Sequence, residues 1–169
     1  MVANKNLFDQ WNLALPTDYK SFIAVCRQLE EHGVTPLAVD FAESWTPTTM
    51  MQGITAPWFY DDAKYLTWME KFRAGKVTEL NAQWLLSIAN TARDLNREGI
   101  LTADMLQDEA PDTQAMLLSG KAAIVRKNSD EVFDSTNSHN YAALPFFGTT
   151  ASDSQLFTYP VFSLAVSKE

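Results

Sequence analysis

The sequence is poor in cysteine: Cys26 is the only one in 169 residues. A single cysteine excludes an intramolecular disulfide, so the fold must be held by its core, and the redox compartment stays open. Basic residues are also scarce. Thirteen Lys and Arg stand against 21 Asp and Glu, a net charge of −8. That balance argues against a nucleic-acid backbone as partner and against adsorption to anionic lipid, since both need a basic face. No apolar run approaches transmembrane length, so no membrane insertion is expected. The first ten residues, MVANKNLFDQ, lack the apolar stretch of a signal peptide, so an exported protein would begin upstream of this sequence. The two histidines, His32 and His139, have no Cys, His or Glu at ligand spacing, and no metal or other cofactor is expected. Phosphate loops, G-x-S-x-G elbows, internal repeats and low-complexity linkers are missing as well.

What is present is a globular composition. Hydrophobic residues make up 46% and charged residues 20%, with ten Phe and five Trp. The length suits one domain with a real core, and most of the aromatics belong in it. Asp18 or Thr17 caps a helix running to about Glu31, stopped by Gly33. Its face Phe22, Val25, Cys26, Leu29 makes Cys26 a core residue and not a nucleophile. Pro36 to Val39 reads as a strand, followed by the turn Asp40 to Trp45 and a short helix over Thr46 to Gly53. The next helix begins at Asp61 or Asp62 and carries Tyr65, Trp68, Met69 and Phe72 on its apolar face. Over Asn81 to Gly99 the spacing predicts an amphipathic helix with Trp84, Leu85, Ile88, Ala92 and Leu95 inward.

The stretch from Thr113 to Phe133 is the most telling. Met116 and Leu117 give a helix its apolar face, Gly120 ends it, and Ala122 to Val125 is short and apolar enough for a central strand. Polar residues from Arg126 to Asp130 then fall where that strand ends, ahead of a helix over about Ser129 to Asp134. In open α/β sheets, ligands gather at the carboxyl ends of strands. Tyr141 to Leu144 and Val161 to Val166 read as further strands, with a polar, mobile loop between them over Gly148 to Gln155. Helices and strands alternate, which fits an α/β layer architecture with a small sheet flanked by several helices.

Four segments, in order, resemble the extracellular solute-binding proteins of carbohydrate ABC transporters, the maltose-binding-like group. They are the opening NKNLFDQWNLALPTDYKSFIAVCRQLEEHGVTPLAV, then LLSGKAAIVRKNSDEVFD, YAALPFFG and PVFSLAVSK. The resemblance covers nearly the whole chain. It implies that residues 1–169 form a single α/β lobe, most of the second lobe of a two-lobe periplasmic-binding-protein-like fold, cut from a longer protein. Such proteins are not enzymes. They close on a sugar and deliver it to a membrane permease, from a periplasmic, extracellular or lipoprotein-anchored position.

A sugar offers an apolar C–H face and a rim of hydroxyls, which an aromatic plane and a few fixed polar groups can match. The loop Glu43-Ser44-Trp45 supplies both kinds, and the resemblance implies that it faces the cleft. The alternative for Trp45 is packing at the start of the next helix. Arg126, Asn128 and Asp130 form a second group. Relatives often carry an aromatic in this loop, whereas Ser129-Asp130 stand here, which favours polar contact. Asn128 and Asp130 can equally cap the helix that follows. Asp104, Asp108, Glu109 and Asp112 lack calcium-loop spacing and read as a solvated face, although the resemblance brings Asp112 near the ligand. Two other readings remain. Glu43 and Asp130 could serve as a glycosidase carboxylate pair, or the run Trp58-Phe59-Tyr60 could dock a partner in a structural domain. The leading reading expects Glu43, Trp45, Arg126 and Asn128 along one edge of the sheet, facing solvent.

Overall fold

A computed structural model describes residues 1–59, 63–77, 82–127, 138–154 and 156. The chain opens with strand β1 (Val2–Asn4) and helix α1 (Lys5–Gln10). Helix α2 (Tyr19–Glu31) and strand β2 (Thr35–Ala38) follow. Three helices come next: α3 (Thr46–Phe59), α4 (Ala63–Arg73) and α5 (Ala82–Arg97). Helix α6 (Ala110–Leu118), strand β3 (Ala122–Val125) and strand β4 (Tyr141–Ala143) complete the described elements. The expected helices over Ser129 to Asp134 and the strand over Val161 to Val166 lie outside the described residues.

The four strands form one sheet in the order β2-β3-β1-β4. β2 and β3 run parallel with Leu37 opposite Ile124, and β1 runs antiparallel to both of its neighbours. Side chains alternate across a strand, so each strand feeds two cores. Ala3, Leu37, Val39 and Ile124 enter the larger core with Phe22, Val25, Cys26 and Leu29 of α2. Val2, Ala38 and Val125 enter a smaller core against Leu117 of α6. β3 is buried along its whole length because helices cover both its faces. Cys26 is fully buried, and burial, helped by the Glu30 charge, pushes its thiol well above the usual range.

Several boundaries differ from the sequence-based expectation. α3 runs straight through Gly53 to Phe59, and the Phe146 ring lies against Gly53 where any Cβ would collide. On α5, Leu95 is buried but Leu85 is exposed, so the expected apolar face is wrong at its start. Among the described side chains of α5, Thr91 and Leu95 are the buried ones. The Gly148 loop is tied down and not loose. Asp153 Oδ2 accepts hydrogen bonds from the Thr149 and Thr150 hydroxyls at 3.0 and 2.8 Å. The Ser154 hydroxyl donates to the Thr17 carbonyl at 2.7 Å, and Tyr19 N–H donates to the Gly148 carbonyl at 2.8 Å, which pins the loop to the start of α2.

Candidate functional site

β2 and β3 are parallel, so their carboxyl ends open on the same edge of the sheet. After β2 the chain makes two back-to-back turns. The Asp40 carbonyl accepts from Glu43 N–H at 3.2 Å, and the Glu43 carbonyl accepts from Thr46 N–H at 3.0 Å. These turns lift Trp45 to the tip of the loop. Its carbonyl accepts the first hydrogen bond of α3, from Thr49 N–H at 3.1 Å. The backbone of Trp45 therefore starts the helix while the residue stays 43% exposed. Phe41 N–H and Ala42 N–H donate to the carbonyls of Met105 and Asp108 at 3.2 and 3.1 Å, fastening the loop to the segment before α6.

After β3 the chain continues one residue further along β2: Arg126 N–H donates to the Ala38 carbonyl at 3.2 Å. Alternation then sends Arg126 and Lys127 to opposite faces. The Lys127 ammonium donates to the Ala110 carbonyl in the first turn of α6 at 2.7 Å, and the Thr113 hydroxyl donates to the same carbonyl at 3.1 Å. The Arg126 guanidinium instead lies over the Trp45 ring, 4.4 Å from its centroid, a cation–π contact. Arg126 itself is 6% exposed.

The edge collects buried polar groups. Among the described residues seven polar or charged side chains are buried, and Asp40, Thr46, Thr113, Arg126 and Lys127, five of them, sit here. Asp40 Oδ1 and Thr46 Oγ1 have no hydrogen-bond partner among the described residues. Buried polar atoms are nearly always satisfied in proteins, so such a concentration marks an edge shaped for more than packing.

Of the residues singled out from sequence, Trp45 and Arg126 touch, Glu43 is half-buried in the same loop, and Ser44 is exposed beside it. Asp112 is exposed in the first turn of α6, where its carboxylate accepts the Glu109 N–H at 3.1 Å and closes a capping box. Asn128 and Asp130 lie outside the described residues. The neighbouring acidic groups bear on one another: burial, then the charges of Asp112 and Asp104, raise the Asp108 carboxyl above the usual carboxylate range. Sequence reasoning missed Asp40, Thr46 and Lys127. Asp40 does follow an apolar strand directly, but its burial is a tertiary property no local pattern shows. Among the described residues, no three His, Cys, Asp or Glu side chains group as a metal would need, and no helix is long and apolar enough to cross a membrane.

No family profile and no curated protein sequence matches the chain. Solved structures do. A chitin oligosaccharide binding protein superposes with a TM-score of 0.70 at 17% identity, over 88% of this chain and 37% of its own. The bacterial solute receptor AcbH, described as exclusive for β-D-galactopyranose, gives 0.70 at 16% identity over 88% and 36%. The solute-binding protein RafE, solved with raffinose, gives 0.68 at 15% identity over 90% and 40%. The chain thus spans well under half the length of the structures it matches. Its small mixed sheet and flanking helices have the fold of part of a two-lobe solute-binding protein.

Proposed function

We propose that this chain is one lobe of a solute-binding protein that captures a sugar or oligosaccharide in a cleft and hands it to a membrane ABC permease, outside the cytoplasmic membrane. The observation that carries this reading is the Trp45 ring, exposed at the carboxyl end of β2 on a loop fixed by two turns. An aromatic plane among polar groups is the surface a pyranose needs. Glu43 and Ser44 lie on the same loop to meet hydroxyls, with Asn128 and Asp130, which follow β3 in the sequence, as further candidates. The matched structures whose names state a ligand bind carbohydrate, and all three described above are binding proteins and not enzymes, which also supports the reading. Capture would follow the two-state scheme of this fold, in which ligand shifts the balance between open and closed lobes.

The test is isothermal titration of mono- and oligosaccharides into the protein that carries both walls of the cleft, with Trp45→Ala beside the wild type. Losing one stacked aromatic and its buried area should weaken binding by about 10- to 100-fold. Sugar affinity unchanged by Trp45→Ala would refute the assignment of this edge.

A further inference from the structure

We propose that Arg126 is a positioning residue: its guanidinium fixes the Trp45 ring so that one face is occupied from within and the other is presented to ligand. The inference rests on Trp45 being the sugar platform.

The two partners are unequal. Trp45 stands in a turn before α3 and is 43% exposed. A ring placed so is free to rotate about its side-chain bonds, and ordering it on binding would cost affinity. Arg126 extends a buried strand, has its N–H bonded to the Ala38 carbonyl at 3.2 Å, and is 6% exposed. The buried member thus lies against the exposed one. At 4.4 Å from the ring centroid the guanidinium sits face-on, where the negative face of the indole attracts a cation. Burial strengthens that attraction, because water screens it less. Arginine also suits the position better than lysine, since its planar group stacks flat on the ring. Lys127, one residue on, is drawn to the Ala110 carbonyl and leaves this face to Arg126.

Geometry then sets the polarity of the site. With Arg126 covering one face of the indole, a sugar must stack on the opposite face. Arg126 contributes through the ring and not through hydrogen bonds to sugar hydroxyls.

The first arm of the test needs no ligand. Near-ultraviolet circular dichroism of the chain, taken as the difference from Trp45→Phe, isolates the Trp45 signal. Arg126→Met should collapse that signal, and Arg126→Lys, which keeps the buried charge and serves as the better-folded variant, should retain part of it. A Trp45 signal unchanged in both variants overturns the proposal. The second arm is a double-mutant cycle on sugar affinity in the protein that carries both walls of the cleft. Arg126→Met should weaken binding about fivefold in the wild type and add nothing once Trp45 is alanine. An equal loss in both backgrounds means that Arg126 touches the ligand directly, and the proposal fails. If the wild type binds no sugar, the functional reading fails instead, and the spectral arm still decides whether Arg126 orders Trp45.

Discussion

The side-chain amide of Asn4 serves two helices at once. Its oxygen accepts the Asn6 N–H at 3.1 Å and caps α1, while its nitrogen donates to the Leu117 carbonyl at 3.1 Å. That carbonyl belongs to the last turn of α6, where intrahelical donors run out. Asn4 is 7% exposed, so neither bond can be replaced readily by water. Asn4→Ala should therefore lower unfolding stability by about 1–3 kcal/mol, read as a lower urea midpoint with unchanged slope. Asn4→Asp separates the two roles. An aspartate keeps the cap acceptor but loses the donor and sets a carboxylate against the Leu117 carbonyl. It should be no more stable than the alanine variant at neutral pH, and wild-type stability for Asn4→Asp would show that the Leu117 bond contributes nothing. None of this double role is visible along the chain, because its two ends meet residues 2 and 113 positions away. Trp45 and Arg126 are the contrast. Arg126 directly follows one apolar strand and Trp45 sits in the turn after the other, so the alternation of elements places both at one sheet edge.

α2 is the element most fully encoded by local sequence. Asp18 accepts the Ser21 N–H at 2.7 Å, and the Ser21 hydroxyl in turn accepts the Asp18 N–H at 3.1 Å, a reciprocal cap. The Ser21 backbone bond, then its hydroxyl, hold the Asp18 carboxyl below the usual carboxylate range. A carboxyl whose folded value is depressed contributes stability above its unfolded value and loses it as pH falls through the folded one. Asp18→Ala should thus lower the urea midpoint near pH 7, and the gap from wild type should narrow as pH falls below the usual carboxylate range. A gap that persists in acid would mean that the loss is not the ionised cap. At the other end Gly33 takes φ +74°, as its place after the helix requires. Elsewhere local signals ran short. β1 is three residues long and becomes a strand only by pairing with Val125 and Ala143, more than 120 residues away. α6 starts three residues before Thr113, because Pro111 is tolerated in a first turn and Glu109 and Asp112 close the cap. On α5 the apolar period was legible, but periodicity does not tell which half of a helix meets the core.

At the scale of the molecule, one sheet edge gathers Trp45, the buried cations Arg126 and Lys127, and the oxygens of Asp40 and Thr46 that lack a partner among the described residues, while the central strand β3 is buried along its whole length. In the proposed reading this edge is one wall of a cleft. Ligand sites of this kind bury 70–90% of a small ligand. A pyranose stacked on Trp45 alone keeps its second face and much of its hydroxyl rim in water, so it gains the stacking contact without the enclosure. The matched structures are more than twice as long as this chain, which covers 36–40% of the three described, and on the proposed reading the opposing wall belongs to the part this chain does not cover. The 169-residue chain by itself should accordingly bind sugars no tighter than about 1 mM, a free energy near −4 kcal/mol. Saturation-transfer NMR should detect contact with the sugar C–H face, absent in Trp45→Ala, while titration calorimetry registers no measurable heat. Micromolar affinity in the isolated chain would mean that this edge encloses its ligand unaided, and the wall would then be a complete pocket in its own right.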